Sequence, residues 1–450
     1  MEEESKPAAQ PVMRYGLNDD LPVKELISYG LQHLTYFLAN AAILPVIVGG
    51  YLGLNQPELA SLVQRTFILC GIVSILQAVW GHRFPIMEGP AGLWYGVLIT
   101  LAVSAPGMGK DLAVLRTDIE MGFIVAGIVC IIIAATGMAG RVAKVFSPLV
   151  NGVFLVLMCL QLSPAMVKGM LGLSSVSQLA DGRSLLAFAG TTGLIIWITV
   201  RGKGFIKSIA VLVGAGAGWL SALLLGIAPD VQYSQTQAAI VPGVFAWGAP
   251  TFDLGVILAC VIAGVLLFSN LVASIVGMSA VTGEPLKPAM FNRGAVFTGV
   301  SDILAGLGAV IGFIPYASAI GFTAMTGVAS RKPFIVGAVL ITLLGIFPQV
   351  GVLFAAMPPT VGNSVMFVVF CLILGMGIEE FSKVTLTNRE MYVLGISLMV
   401  GVGVMFLPQQ VFNNLPPVFR YILLNGMIVG LILCMALERW LLSGDASARR

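Results

Sequence analysis

The stretch Ile311–Lys332 reads IGFIPYASAIGFTAMTGVASRK and joins an apolar segment to several helix-breaking residues. Its apolar run from Ala317 to Val328 has twelve residues. A helix needs about 20 apolar residues to cross the hydrocarbon core of a bilayer. Pro315 interrupts a helix before this run, and Gly321 offers a place where a new helix could begin. The stretch therefore predicts a short strand, a break and a half-length helix.

The composition is that of an integral membrane protein. Of the 450 residues, 58% are hydrophobic and 10% are charged, and the mean hydropathy is +0.98. Soluble domains carry about 25% charged residues, so a soluble fold is excluded. The net charge of +3 is small and gives no reason to expect a nucleic-acid partner. The polar, acidic N-terminus lacks the apolar core of a cleavable signal peptide.

Hydropathy predicts an all-α polytopic membrane protein with about fourteen transmembrane segments. The predicted spans are residues 28–50, 61–80, 89–104, 119–139, 148–167, 185–200, 208–227, 255–277, 295–311, 317–329, 333–350, 361–378, 391–407 and 421–441. An even number of spans puts both termini on one side. If that side is the cytoplasm, eighteen of the 24 basic residues face inward, as the positive-inside rule requires. We therefore expect a multi-pass protein of the cell membrane with both termini cytoplasmic.

Two pairs of motifs recur seven spans apart. FPIMEGPAG (84–92) opens the third span and FIPYASAIG (313–321) opens the tenth, while FSPLVNG (146–152) and MPPTVGN (357–363) occupy the fifth and twelfth. Because seven is odd, repeats with this offset have opposite topology, which is typical of transporters built from inverted repeats. Irregular backbone at membrane depth must be buried or line a cavity. We expect the strands of spans 3 and 10 to pair and to aim two half-helix N-termini at one site.

The repeat divides the chain into five parts. These are a cytoplasmic N-terminal tail (1–27), a first inverted repeat of spans 1–7 (28–227), an extracellular loop (228–254), a second inverted repeat of spans 8–14 (255–441) and a cytoplasmic tail (442–450).

Several motifs together resemble the nucleobase–ascorbate transporter family (nucleobase:cation symporter-2, with xanthine, uracil and purine permeases), in particular its purine-permease-like branch. They are LQH (31–33), GHRFPIMEGPAG (81–92), FSPLVNG (146–152), NRGAVFTGVSDILAGLGAVIG (292–312) and GFTAMTGVASR (321–331). The last is similar to the family signature QNxGxxxxTGVxSR, with Gly321, Thr326, Gly327 and Arg331 at matching positions.

The resemblance implies a core domain (28–139 plus 255–350) and a gate domain (148–227 plus 361–441), with substrate held between the paired strands. It implies a secondary active transporter that imports nucleobases, most of all purines, by proton symport, often as a homodimer and without a cofactor. A uracil or other pyrimidine permease remains an alternative, as does a sulfate or bicarbonate transporter of the same fold. The sequence contains no HExxH, GxSxG or metal-ligand spacing, so neither an enzyme nor a metal site is expected.

The chain departs from the family where the family usually carries acids. Ser318 and Ala319 stand where the signature has Gln-Asn or Glu-Asn, and Ser269 and Asn270 replace the usual Glu of the eighth span. Glu88, on the third-span strand, is instead an acid that relatives commonly lack. An ionised carboxylate at mid-bilayer costs about 2.5–3.5 kcal/mol, so its presence needs a reason.

The candidate substrate-binding residues are Glu88, Ser269, Asn270, Tyr316, Ser318 and Gly321. The candidate proton-coupling or supporting network is Glu88, Asp302, Gln32 and His33. Each has a structural alternative. Glu88 and Ser318 could cap half-helices, Ser269 and Asn270 could bond neighbouring helices, and Asp302 could pair with a buried group such as His33. Arg331 could be an anchor at the membrane surface, and His82 is expected to be an interfacial loop residue.

Overall fold

The computed structural model describes residues 13–90, 92–106, 109–138, 147–173, 179–228, 243–408, 411, 414, 423 and 425–442. Parts of the predicted tails (1–12 and 443–450) and of the predicted extracellular loop (229–242) lie outside the described residues. So do Phe146 of the fifth-span motif and the side chain of Ser269.

The described chain is mainly helical, with two short strands. The helices are α1 (Val23–Ala41), α2 (Ile43–Tyr51), α3 (Gln56–Val79), α4 (Gly92–Ser104), α5 (Leu112–Ala135), α6 (Pro148–Met170), α7 (Gly182–Arg201), α8 (Phe205–Ser208), α9 (Ala210–Leu224), α10 (Leu254–Thr282), α11 (Pro288–Leu307), α12 (Ser318–Thr326), α13 (Arg331–Ile346), α14 (Pro348–Ala355), α15 (Pro359–Ser382), α16 (Asn388–Met405) and α17 (Gly426–Leu442). The strands are β1 (Glu88–Pro90) and β2 (Phe313–Pro315).

The helix lengths and surfaces are those of a multi-pass membrane protein. Each of the fourteen predicted spans overlaps at least one helix. Among the described residues, seven helical segments are long and apolar enough to cross a bilayer, and α13 with α14, bent by 84°, would make an eighth. Large apolar side chains such as Leu224 and Phe406 are about 80% exposed, as suits a surface that faces lipid.

The long helices pack in two sets. In one set, α5 packs against α10 and α11, while α3 and α1 pack against α13. In the other, α15 packs against α6 and α7, and α17 packs against α6 and α16. Small residues let these helices approach closely. A Cβ atom on Gly127 of α5 would lie 2.4 Å from the carbonyl oxygen of Gly299 on α11, so this crossing tolerates only glycine.

The N-terminal segment is fastened to the end of α12. Gly327 ends this helix in the left-handed conformation (φ 67°), and its carbonyl oxygen accepts the Arg14 N–H at 2.7 Å. The Tyr15 carbonyl accepts the Ala329 N–H at 2.9 Å, and Ser330 Oγ donates to the Asp19 carbonyl at 2.9 Å. Part of the predicted tail is therefore ordered against the signature motif. Helix α1 also begins at Val23, earlier than the predicted span.

The crossing of α5 and α11 yields a stability prediction. Changing Gly127 to Ala should lower the melting temperature of the purified protein, because overpacking a tight contact costs about 1–3 kcal/mol. Gly190 on α7 is the matched control, since a Cβ there meets no atom within 4 Å. Gly190→Ala should leave the melting temperature unchanged or raise it. Equal effects of the two substitutions, measured by thermal unfolding in detergent, would contradict the proposed packing.

Candidate functional site

The two interrupted helices meet through their strands. β1 and β2 pair antiparallel, with Glu88 opposite Pro315, Gly89 opposite Ile314 and Pro90 opposite Phe313. The Tyr316 N–H extends the ladder by donating to the Met87 carbonyl at 2.9 Å. The strands are buried, and each precedes a helix too short to cross a membrane, α4 with 13 residues and α12 with 9. The predicted pairing of strands at the two helix breaks is confirmed.

Two long helices satisfy peptide groups at the edges of this strand pair. On α3, Ser74 Oγ accepts the Glu88 N–H at 3.0 Å, and Cys70 Sγ donates to the Glu88 carbonyl at 2.9 Å. On α10, Asn270 Nδ2 donates to the Pro315 carbonyl at 2.7 Å. Asn270 thus supports the strand directly. This hydrogen bond uses one hydrogen of its amide, and the group has a second hydrogen and an acceptor oxygen.

The carbonyl of Pro90 is held by two phenol groups. Tyr95 Oη donates to it at 3.0 Å, and the Tyr316 hydroxyl donates to it as well. Tyr316 Oη also lies 3.3 Å from the Asn40 carbonyl. The hydroxyl of Tyr316 is therefore engaged by the backbone in this conformation, and its half-buried ring is the part that remains to contact a ligand.

The Glu88 carboxyl group points into the interior without a hydrogen-bond partner. Its side chain is fully buried, and neither carboxyl oxygen has a partner among the described residues. Glu88 therefore does not cap α4, the structural alternative raised by the sequence. The Gln77 side chain lies beside it, and His82 Nε2 lies 3.9 Å from Glu88 Oε1.

His82 lies in the loop between α3 and β1, as expected. Its side chain is fully buried, which the sequence did not predict. The reason is local backbone geometry. Arg83 adopts a positive φ of 66°, and this turn leaves Arg83 exposed while His82 faces inward. A positive φ at an arginine is uncommon, and the sequence gives no sign of it.

Ser318 does not cap the half-helix of span 10. Helix α12 begins at Ser318 itself, its N-cap residue is Ala317, and no side chain caps it. Ser318 Oγ instead shares a hydrogen bond of 2.7 Å with the Tyr36 hydroxyl on α1. The helix also begins three residues before Gly321, where the sequence had placed its start. Gly321 is exposed, and a Cβ there would meet nothing within 4 Å, so this face of α12 borders open space.

The polar pair on α1 supports α12 through aromatic contacts. The His33 ring lies between Phe322 (centroids 5.0 Å apart) and Phe334 (5.4 Å), and Gln32 beside it is half-buried. Tyr36, one turn along the same face, contacts Phe322 at 4.7 Å. His33 is thus placed behind the half-helix, and Tyr36 is the α1 residue that reaches Ser318.

Asp302 on α11 is a second buried acid near the strands. It is fully buried, lies beside the backbone of Phe313 and is close enough to Glu88 to interact electrostatically. Neither carboxyl oxygen has a hydrogen-bond partner in the described part of the chain. The suggested pairing of Asp302 with His33 is therefore not present.

The remaining signature residues shape the end of α12. Thr326 Oγ1 donates to the Phe322 carbonyl at 3.0 Å, and Gly327 supplies the left-handed cap. Arg331 is more than a surface anchor. Its guanidinium donates to the Ala78 carbonyl at 3.4 Å and to Asn18, so it joins the ends of α3 and α13 to the N-terminal segment.

Sequence reasoning did not single out Tyr36, Ser74, Gln77 or Tyr95, which surround the strands. A signal existed for Tyr36, because residues three apart on a helix share a face and His33 was already a candidate. The others lie within apolar runs and carried no such signal. Among the described residues, no group of His, Cys, Asp or Glu could hold a metal ion.

A large cavity lies apart from the strands. Its volume is about 1290 Å³, and its lining includes Tyr51, Thr100, Gln161, Lys168 and Asn363. These residues come from α2, α4, α6 and α15, and Leu59 of α3 also lines the cavity, so it lies between α3 of one helix set and α6 and α15 of the other. None of the predicted site residues is among those that line it.

Comparison with known proteins places the chain in a family. The xanthine/uracil permease model, described as "Permease family", matches residues 24–410. The chain belongs to the nucleobase–ascorbate transporter family of permeases. It is 30% identical over 426 residues to "Putative purine permease YwdJ" of Bacillus subtilis (strain 168), covering 92% of this chain and 96% of that protein. It is 23% identical over 419 residues to "Uric acid permease PucK" of the same organism, covering 92% and 95%.

A solved structure shares the architecture of this family member. The transmembrane domain of the cyanobacterial bicarbonate transporter BicA superposes with a TM-score of 0.61, covering 94% of this chain and all of that one. The sequence identity is 15%, so the similarity concerns the fold alone.

Tyr95 and Tyr316 donate to the same Pro90 carbonyl, so we predict that substitutions of the two tyrosines have non-additive effects on stability. Tyr95→Phe or Tyr316→Phe alone should cost little stability, because the other hydroxyl still serves the Pro90 carbonyl. The double variant leaves that buried carbonyl without either donor, which costs about 1–3 kcal/mol. Its melting temperature in detergent should fall by clearly more than the sum of the single changes. Tyr95→Phe combined with Tyr392→Phe, at a side chain 67% exposed, should be additive. Additivity in both pairs would contradict the shared acceptor.

Proposed function

We propose that this permease is a secondary active transporter that imports purine nucleobases by proton symport. The observation that carries the proposal is the buried carboxyl group of Glu88, which lies on the paired strands without a hydrogen-bond partner in the described chain. A buried polar group without a partner is costly. Such a group persists at a binding site because the ligand completes its hydrogen bonds.

The geometry around the strands suits a flat, polar ligand. The half-helices α4 and α12 begin beside β1 and β2, and helix N-termini carry free N–H groups and partial positive charge. The Glu88 carboxylate can accept N–H donors of a base, the Asn270 amide can pair with its edge, and the Tyr316 ring can stack on its face. Ser269, Ser318 and the open side of Gly321 complete the proposed site.

Proton coupling follows from the same carboxyl group. Without a cation or donor in contact, a buried carboxyl is more stable with its proton than without. Asp302 nearby adds to this, because two neighbouring carboxylates repel each other. A transport cycle in which Glu88 gains a proton with substrate binding and releases it inside would couple the two. Gln32 and His33 support α12 in this scheme, and Asp302 serves as a second acid.

The architecture proposed for this function has fourteen spans in two inverted repeats, with both termini cytoplasmic in the cell membrane. The two broken helices and the two packed helix sets support a core domain (28–139 plus 255–350) that moves against a gate domain (148–227 plus 361–441). The cavity between the sets would open outward in this topology and would give substrate its route to the strands. A homodimer is part of the proposal by family resemblance.

Purines are preferred over other cargo for two reasons. The relatives described above are named as purine and uric acid permeases over nearly their full length. Bicarbonate has no N–H donors for the Glu88 carboxyl group and no ring to stack on Tyr316, and the described residues of β1 and β2 include no basic side chain to attract it. Pyrimidines remain the second candidate, because carboxylate and amide groups also fit the edge of uracil.

Transport assays in proteoliposomes test the substrate class. With an inward proton gradient, we expect accumulation of radiolabelled purines, which an uncoupler abolishes. Adenine, guanine, hypoxanthine, xanthine and urate are the test compounds, with uracil, sulfate and bicarbonate as competitors. Uptake of sulfate or bicarbonate without any nucleobase would reject the proposal.

Replacing Glu88 tests the coupling. Glu88→Gln keeps the size and hydrogen-bonding capacity of the side chain but cannot lose a proton, so gradient-driven accumulation should fall at least tenfold. Glu379→Gln is the matched control, because that carboxylate lies exposed near the end of α15. It should accumulate purine as the wild type does. Normal, pH-dependent accumulation by Glu88→Gln would show that Glu88 does not carry the coupled proton.

A further inference from the structure

Two fully buried side chains, Glu88 and His82, face each other at the inner end of β1. Glu88 Oε1 and His82 Nε2 are 3.9 Å apart, and neither atom has a hydrogen-bond partner among the described residues. His82 adjoins Arg83, which is exposed. The Gln77 side chain also lies beside Glu88.

The backbone fixes which ring nitrogen carries the hydrogen. The Phe84 N–H donates to His82 Nδ1 at 3.0 Å, so Nδ1 is an acceptor and the hydrogen of the neutral ring sits on Nε2. The orientation of the loop is held further by Gln77, whose Oε1 accepts the His82 N–H at 3.4 Å. The hydrogen of His82 is therefore on the ring nitrogen that lies 3.9 Å from the Glu88 carboxyl group.

Gln77 is a second donor beside Glu88, but it is shared with α11. Its side chain lies beside Glu88, and its Nε2 also donates to the Gly294 carbonyl and to Thr298 Oγ1, both at 3.1 Å. The Nε2 atom of His82, in contrast, has no hydrogen-bond partner among the described residues.

We infer that His82 is the positioning residue that sets the pH at which Glu88 exchanges its proton. When the O–H bond of the Glu88 carboxyl breaks and the proton passes to water on the inner side of the membrane, the neutral imidazole donates Nε2–H to the new carboxylate and stabilises it. His82 itself gains and loses no proton. Reaching the usual hydrogen-bond distance of about 2.6–3.2 Å requires the two side chains to approach by roughly 1 Å. This inference rests on the proposed proton symport.

The other titratable groups that face the pair act differently. Asp302 on α11 is an acid, and in its ionised form it disfavours ionisation of Glu88. Cys70 on α3 already donates to the Glu88 carbonyl, and the Tyr316 hydroxyl already donates to Pro90. The charged Arg83 is exposed, and Arg331 is held by Ala78 and Asn18. Gln77 and His82 are the described neutral groups beside Glu88 that can favour the ionised form without bringing a second charge.

Paired substitutions separate this role from a structural one. His82→Leu fills the site without a donor, whereas His82→Gln restores an N–H donor. Substrate exchange at equal pH on both sides of the proteoliposome is measured across a pH series. Without the donor the Glu88 carboxylate is less stable, so Glu88 keeps its proton to higher pH. We expect the pH midpoint of substrate exchange to rise by about one unit in His82→Leu, which is a tenfold change in the ionisation equilibrium of Glu88. In His82→Gln the midpoint should return toward that of the wild type.

His33→Leu is the matched control, since this second buried histidine faces Phe322 and Phe334 rather than a carboxyl group. It should leave the midpoint in place whatever it does to the rate. An unshifted midpoint in His82→Leu would overturn the inference. Loss of exchange in both His82 variants would assign His82 a structural role and would overturn it as well.

Infrared difference titration keeps the test independent of the substrate. The protonated-carboxyl band that disappears in Glu88→Gln reports Glu88 directly. Its midpoint should rise in His82→Leu by the same one pH unit. A wild type that exchanges no purine would reject the proposed function, while this titration would still decide whether His82 acts on Glu88. A band midpoint unaffected by His82→Leu would overturn the inference on its own.

Discussion

Backbone hydrogen bonding at the two helix breaks is the constraint on which the site depends. Peptide groups inside a membrane must find partners within the protein, because each unsatisfied group costs several kcal/mol there. Pairing β1 with β2 meets this demand for the central residues. The flanking peptide groups form hydrogen bonds with side chains, which are those of Ser74 and Cys70 on α3, Asn270 on α10, Tyr95 and Tyr316. These partners allow two half-helices, α4 and α12, to begin at the paired strands inside the protein.

This solution uses most of the polar side chains near the strands for structure. Asn270 and Tyr316, both expected to bind substrate, each give a hydrogen bond to a strand carbonyl, and Ser318 is joined to Tyr36. The carboxyl groups of Glu88 and Asp302 have no hydrogen-bond partner among the described residues. Glu88 lies on the strand of span 3. On α10 and α12, where the family usually has acids, this chain has Ser269 with Asn270 and Ser318 with Ala319.

The sequence predicted the fold well where one strong signal sufficed. Long apolar runs located the helices, and proline with glycine after an aromatic residue located both breaks and their pairing. It predicted Glu88, Asn270, Tyr316 and Ser318 as neighbours, because all lie on or beside the broken spans. What it missed depends on backbone detail. The burial of His82 follows from the positive φ of Arg83, and the start of α12 at Ser318 follows from an uncapped turn after Pro315. Neither has a pattern that a single sequence reveals.

The central claim is that the substrate binds at the paired strands, beside Glu88. A structure determined by cryo-electron microscopy with a transported purine bound tests it most directly. The account predicts the base between the starts of α4 and α12, with one edge within hydrogen-bond distance of the Glu88 carboxyl group and of the Asn270 amide. A purine held instead in the cavity lined by Gln161 and Asn363, without contact to Glu88, would contradict it.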